Sequence, residues 1–162
     1  MYQTISRQLS STNTRLIAVS KTRSVTEIQQ LYDLGQREFG ENKVQELKEK
    51  YEALPKDIKW HFIGHLQRNK VKYLAQFVSL LHAIDSLRLL QEVNKQAQKN
   101  DRIIPCLLQF HIAEEDSKFG LDLAEAQALL ESDTFANMQH IQIAGVMGMA
   151  TFTDDERQIR TE

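Results

Sequence analysis

Six short apolar runs of strand character recur along this 162-residue chain, and a helix-patterned segment follows almost every one. The runs are RLIAV (15–19), REFG (37–40), IKWHFIG (58–64), FVSLLHAI (77–84), RIIPCLLQF (102–110) and HIQIAGVMGM (140–149), starting about two dozen residues apart until a longer last step. Between them stand SVTEIQQLYDLG, ENKVQELKEKYEAL, HLQRNKVKYLAQ, DSLRLLQEVNKQAQKN and LDLAEAQALLES, whose apolar residues recur at three- and four-residue spacing, as in Leu87, Leu90, Val93 and Ala97. Strand then helix, repeated, specifies βα units and a parallel sheet. With right-handed crossovers, six such units fit a (β/α) barrel better than a doubly wound sheet, which spacing alone leaves open. With no linker or low-complexity tract in the chain, residues 1–162 read as a single domain.

Bulk properties narrow the function classes. A composition 41% hydrophobic and 26% charged is that of an ordinary globular protein. A formal net charge of −2 gives no electrostatic case for nucleic acid or an anionic membrane. No apolar stretch is long enough to span a bilayer and MYQTISRQLSS lacks the apolar core of a secretory signal, so the cytoplasm is the expected location. The lone Cys106, inside IIPCLLQF, reads as a small buried hydrophobe.

In a barrel the chemistry gathers where the βα loops leave the carboxyl ends of the strands. That rule selects Lys21, Glu41 with Asn42, Gly64 with His65, Asp85, the HIAEEDSKFG loop and Met147 to Thr151. A lysine there can condense with an aldehyde through its unprotonated amine. Ser24 with Glu27 forms a capping-box pattern, and Asp85 is expected to cap the helix after the fourth run alone. Asn42 reads either as a pocket amide or as a helix cap. His61 alternates with Trp60 and Phe62, so it faces away from both. Without a second ligand at metal-binding spacing it is not read as a metal ligand. Glu114, Glu115 and Asp116 are consecutive and do not converge on one substrate atom, which makes them a solvated acidic loop.

Five stretches in order, AVSKT, FGENKVQE, WHFIGHLQRNK, SKFG and GVMGMAT, closely resemble the pyridoxal phosphate homeostasis family, also called the proline synthase co-transcribed family, from about residue 15 onward. The resemblance implies a (β/α)8 TIM-type barrel of the fold-type III pyridoxal phosphate proteins, similar to the amino-terminal domain of alanine racemase. It implies pyridoxal 5'-phosphate as the cofactor, held as a Schiff base on Lys21, with Asn42 beside the pyridine ring, His61 on the cofactor side and Met147 in the cofactor wall. Lys118, with Ser117 and Gly120, matches the family's SKxG loop, either as a second amine near the phosphate or as a solvated lysine. The family continues through two more βα units, so the chain is expected to stop after about six, short of the loops that usually hold phosphate in such barrels. The function implied is a non-catalytic, monomeric carrier that buffers the cofactor in vitamin B6 homeostasis, with apoenzymes as recipients. The alternative is a fold-type III amino-acid racemase or decarboxylase, which needs a second acid or base across the ring. Tyr32, Tyr51 and Tyr73 fall in helical patterns rather than on rim loops.

Overall fold

The computed structural model describes residues 2–112 and 119–161. Six strands, β1 (Ala18–Val19), β2 (Glu38–Glu41), β3 (Lys59–Phe62), β4 (Leu80–Ile84), β5 (Ile104–Phe110) and β6 (Ile141–Gly148), pair in parallel in sequence order. Each strand lies beside the one before it, as the barrel reading requires and a doubly wound sheet does not, because the latter reverses its strand order part-way. Among the described residues β1 and β6 each pair on one side only.

Helices α1 (Tyr2–Leu9), α2 (Val25–Asp33), α3 (Val44–Ala53), α4 (Leu87–Lys99), α5 (Leu123–Glu131), α6 (Asp133–Ala136) and α7 (Glu156–Thr161) accompany the strands. The core lies between strands and helices: Phe39, Trp60, Phe62 and Leu81 from the sheet meet Leu47 of α3 and Leu89, Leu90 and Val93 of α4, all essentially sealed from water. Each such side chain contributes about 1.5–3 kcal/mol on leaving water. Trp60 and Phe62 thus face the helices and His61 the opposite, inner face, as the alternation predicts. Cys106 is buried, and burial pushes its thiol up to about 12.

Three expectations are corrected. RLIAV forms strand only at Ala18 and Val19, because the Gln36 side-chain amide donates to the Leu16 carbonyl and takes the place of strand pairing there. HLQRNKVKYLAQ forms a 3-10 helix over Arg68–Tyr73 rather than an α-helix. Its buried Val71 and the buried Leu74 that follows its last residue sit three apart, the period of that tighter turn, and the Arg102 guanidinium donates to the Ala75 and Val78 carbonyls just beyond. Asp85 does not cap α4; the Ser86 hydroxyl accepts from the Leu89 N–H instead, and Asp85 pairs with His65. The Ser24–Glu27 capping box forms as expected, and an unexpected second one, Asp122–Glu125, opens α5.

Candidate functional site

Because all six strands run in parallel, their carboxyl ends share one rim. Val19 pairs with Gly40 and Gly40 with His61, so these three stand in one layer of the inner face. The ladder continues past the named strands, with the Ser20 N–H donating to Gly40 O and the Ile63 N–H to Glu41 O. Continued two residues beyond these pairs, the same register leads to Lys21, Asn42 and Ile63 at the carboxyl ends of their strands, one layer higher. Lys21 is exposed there and Asn42 is half-buried.

Asn42 owes its position to a glycine. A Cβ on Gly64 would fall 2.5 Å from the Asn42 carbonyl oxygen and 2.8 Å from its Cα, so only glycine lets the loop after β3 lie against the corner after β2. Asn42 does not cap α3; the cap position is Lys43, whose side chain makes no capping bond. Gly64→Ala is expected to push this corner outward and to destabilise the chain by about 1–3 kcal/mol. Urea unfolding measures this, and an unchanged midpoint would show that the corner is not tightly packed.

His61 lies one layer below Lys21 and Asn42, 3% exposed, with its Nδ1 2.9 Å from Nε2 of His82 on β4. Burial, then the charge of His82, then Arg15 and Lys59, hold His61 down to about 4, and burial also lowers His82. At neutral pH the two rings are an uncharged pair, one donating to the other, under the mouth. Sequence reasoning placed His61 on the inner face but missed His82, whose signal was a histidine inside the apolar run LLHAI. Protonation is the weakness of the pair: the unfolded chain takes up protons near the ordinary histidine value of 6.5, which folded His61 refuses until about 4. Stability is therefore full above pH 6.5 and falls as pH drops through this window, by on the order of 3 kcal/mol for His61. Urea unfolding at several pH values checks this, and an unaltered slope in His61→Gln would assign the acid sensitivity elsewhere.

The rim is tied together by a second cluster. His65 Nδ1 is 3.1 Å from Asp85 Oδ2, and the His65 ring stacks on Phe119 at 4.0 Å, so the segments following β3, β4 and β5 meet. The chain returns to the end of β5 there: the Leu121 N–H donates to Gln109 O and the Gln109 amide to Phe119 O. Met147 lies opposite Gln109 in the β5–β6 register and is half-buried. Lys118, Ser117, Glu114, Glu115 and Asp116 lie outside the described residues. An open cleft of about 460 Å³ flanks Asn42, but it is lined by Phe62, which faces the helices, and so sits outside the strand layer rather than at the mouth.

Lys21 is carried on a turn with unusual support. Thr22 has φ +64°, a left-handed conformation that for a β-branched residue costs about 1–3 kcal/mol and persists only where its surroundings enforce it. Its N–H donates to Glu46 Oε1 at 2.7 Å, while Lys50 Nζ donates to Ser20 O, Glu41 Oε1 and Glu46 Oε1, each at 2.7 Å. The Ser20 hydroxyl completes the group, donating to Glu41 Oε1 at 2.5 Å. Glu41 is therefore turned away from the mouth, into a buried ion pair. Hydrogen bonds to Lys50 and to the Thr22 N–H hold the Glu46 carboxyl below the usual carboxylate range. The Glu46–Lys50 spacing of four residues was the available sequence signal, hidden among the other lysines and glutamates of one helix.

The model of the alanine racemase N-terminal domain matches residues 2–162. The pyridoxal phosphate homeostasis protein of Aquifex aeolicus is 35% identical over 147 residues, 90% of this chain and 64% of that relative. The chain belongs to this family, on the alanine racemase N-terminal barrel. It spans a little under two thirds of that relative's length. Among solved structures, PipY of Synechococcus elongatus with PLP bound superposes with a TM-score of 0.83 at 30% identity, covering 98% of this chain and 74% of that one. Alanine racemase from Bartonella henselae, at 19% identity and TM-score 0.68, shares the fold. Two features of this family member suit an aromatic aldehyde: the exposed amine of Lys21 for the aldehyde, and the amide of Asn42, whose backbone is packed against Gly64, for a ring-edge oxygen.

Proposed function

We propose that this chain binds pyridoxal 5'-phosphate at the inner rim and serves as a non-catalytic carrier that buffers the cofactor for apoenzymes in the cytoplasm. Lys21 holds it: Nζ attacks the aldehyde carbon, a carbon–nitrogen double bond forms, and the aldehyde oxygen leaves as water. Asn42 donates to the ring hydroxyl or its neighbour, the neutral His61–His82 pair floors the site without adding charge, and Met147 contributes to its wall. Residues 1–162 act in this as one domain. The observation that supports the reading is the register of β1 to β3, with Val19 beside Gly40 and Gly40 beside His61, which brings the ends of the strands that lead into Lys21 and Asn42 together at one rim.

The carrier reading is favoured over the enzyme by where the tyrosines are. The Tyr32 hydroxyl is bonded to Asp57, Tyr51 stacks on Phe77 at 3.8 Å, and Tyr73 is on the 3-10 helix beside Lys70 and Lys72, so none of these stands across the mouth as a proton donor. Titration with pyridoxal phosphate followed by absorbance, borohydride reduction and peptide mapping tests the site; a label on any lysine other than Lys21 overturns it. Racemisation or decarboxylation of amino acids at enzymatic rates would replace the carrier with the enzyme.

A further inference from the structure

Both peptide bonds that flank Lys21 are gripped by one helix. Lys50 Nζ donates to the carbonyl of Ser20, on the amino side, and Glu46 accepts from the N–H of Thr22, on the carboxyl side, both at 2.7 Å. The two gripping residues are themselves an ion pair four residues apart on α3, and Lys50 is anchored behind them by fully buried Glu41. From this geometry we infer that Glu46 and Lys50 are positioning residues for Lys21: they clamp its turn in the left-handed form and so aim the amine into the barrel mouth.

A solvated loop lysine needs no such arrangement. A charged ammonium that is 4% exposed is costly to bury, and this one directs one of its three bonds to a backbone carbonyl beside the rim lysine rather than to a further carboxylate. The turn it holds stores backbone strain at the one residue that follows Lys21. Glu41, the anchor, precedes Asn42 directly, so the same group fixes the start of the β2–α3 corner. Lys21 and Asn42 are thus set relative to one another from behind the sheet, by side chains that never reach the mouth.

This inference rests on the proposed role of Lys21, and the test separates the two. In Glu46→Ala the Thr22 amide, observed by hydrogen exchange in the cofactor-free chain, is expected to exchange at least about tenfold faster, while the Ile63 amide, bonded to Glu41 O, is unchanged. The dissociation constant for pyridoxal phosphate is expected to rise about tenfold, roughly 1.4 kcal/mol. Glu46→Gln, which keeps an acceptor for Thr22, should recover affinity to within about threefold, as loss of a single neutral-for-charged exchange allows. Asp122→Ala, which loses a helix cap on α5, gives the comparison for a purely structural loss and should bind like the parent. Parent-like Thr22 exchange in Glu46→Ala, or an equal fall in affinity in Asp122→Ala, overturns the clamp. If the unsubstituted chain takes up no pyridoxal phosphate, the functional reading fails and Thr22 exchange alone decides whether the clamp stands.

Discussion

Lys21→Met is expected to lower the affinity for pyridoxal phosphate by at least about a hundredfold, roughly 2.7 kcal/mol, and to abolish borohydride-stable labelling. The side chain is exposed and the turn is held through backbone atoms of its neighbours, so stability should stay within about 0.5 kcal/mol of the parent. Loss of binding would therefore report lost chemistry rather than unfolding. Absorbance titration and mass spectrometry of the reduced protein give both readings, and a Lys21→Met variant still labelled at full stoichiometry would move the site to another lysine.

Lys50→Met should have the largest effect on stability, about 3–5 kcal/mol, because it strands the Glu41 carboxylate in a site with no exposure to water. Among the described residues one oxygen of Glu41 has no hydrogen-bond partner, so the carboxylate depends on Lys50 and the Ser20 hydroxyl at the other. The double variant Glu41→Leu with Lys50→Met removes both charges and should recover most of the loss. Urea unfolding of the two variants distinguishes these outcomes. A single variant as stable as the parent would mean that the buried ion pair contributes little.

The strand–helix rhythm was legible because β2 to β5 are covered on their outer faces and read as apolar runs, and because helix periodicity survives even where helix ends shift. Its failures have local causes. The first strand shortens because a glutamine side chain occupies the carbonyl of Leu16, a contact made across twenty residues that no local pattern contains. The third helical pattern tightens to 3-10 because Arg102, some thirty residues on, ties down the carbonyls that follow it. Asp85 looked like a cap by its position, but Ser86 is one residue nearer the helix and His65 competes for the carboxylate. Lys21 and Asn42 were selected by motif, and the neighbouring of the strands that lead into them follows from register, which a single sequence does not encode until the strands are paired. The Lys50 clamp and the His82 partner were invisible for the same reason: each is a contact between units whose residue types, lysine on a charged helix and histidine in a strand, are individually ordinary.

The neighbour-to-neighbour strand order carries a consequence for how the chain is made. Every strand pairs with the one synthesised immediately before it, so each loop closed on the way to the native sheet is only a few tens of residues long and its entropic cost is modest. The sheet can then grow by accretion at one edge as the polypeptide leaves the ribosome, without waiting for distant segments. The lysine turn and everything that holds it, from Ser20 to Lys50, belong to the first two units of that growth. The Lys21 turn is thus set early, while the far side of the rim, where Met147 lies, has yet to be translated.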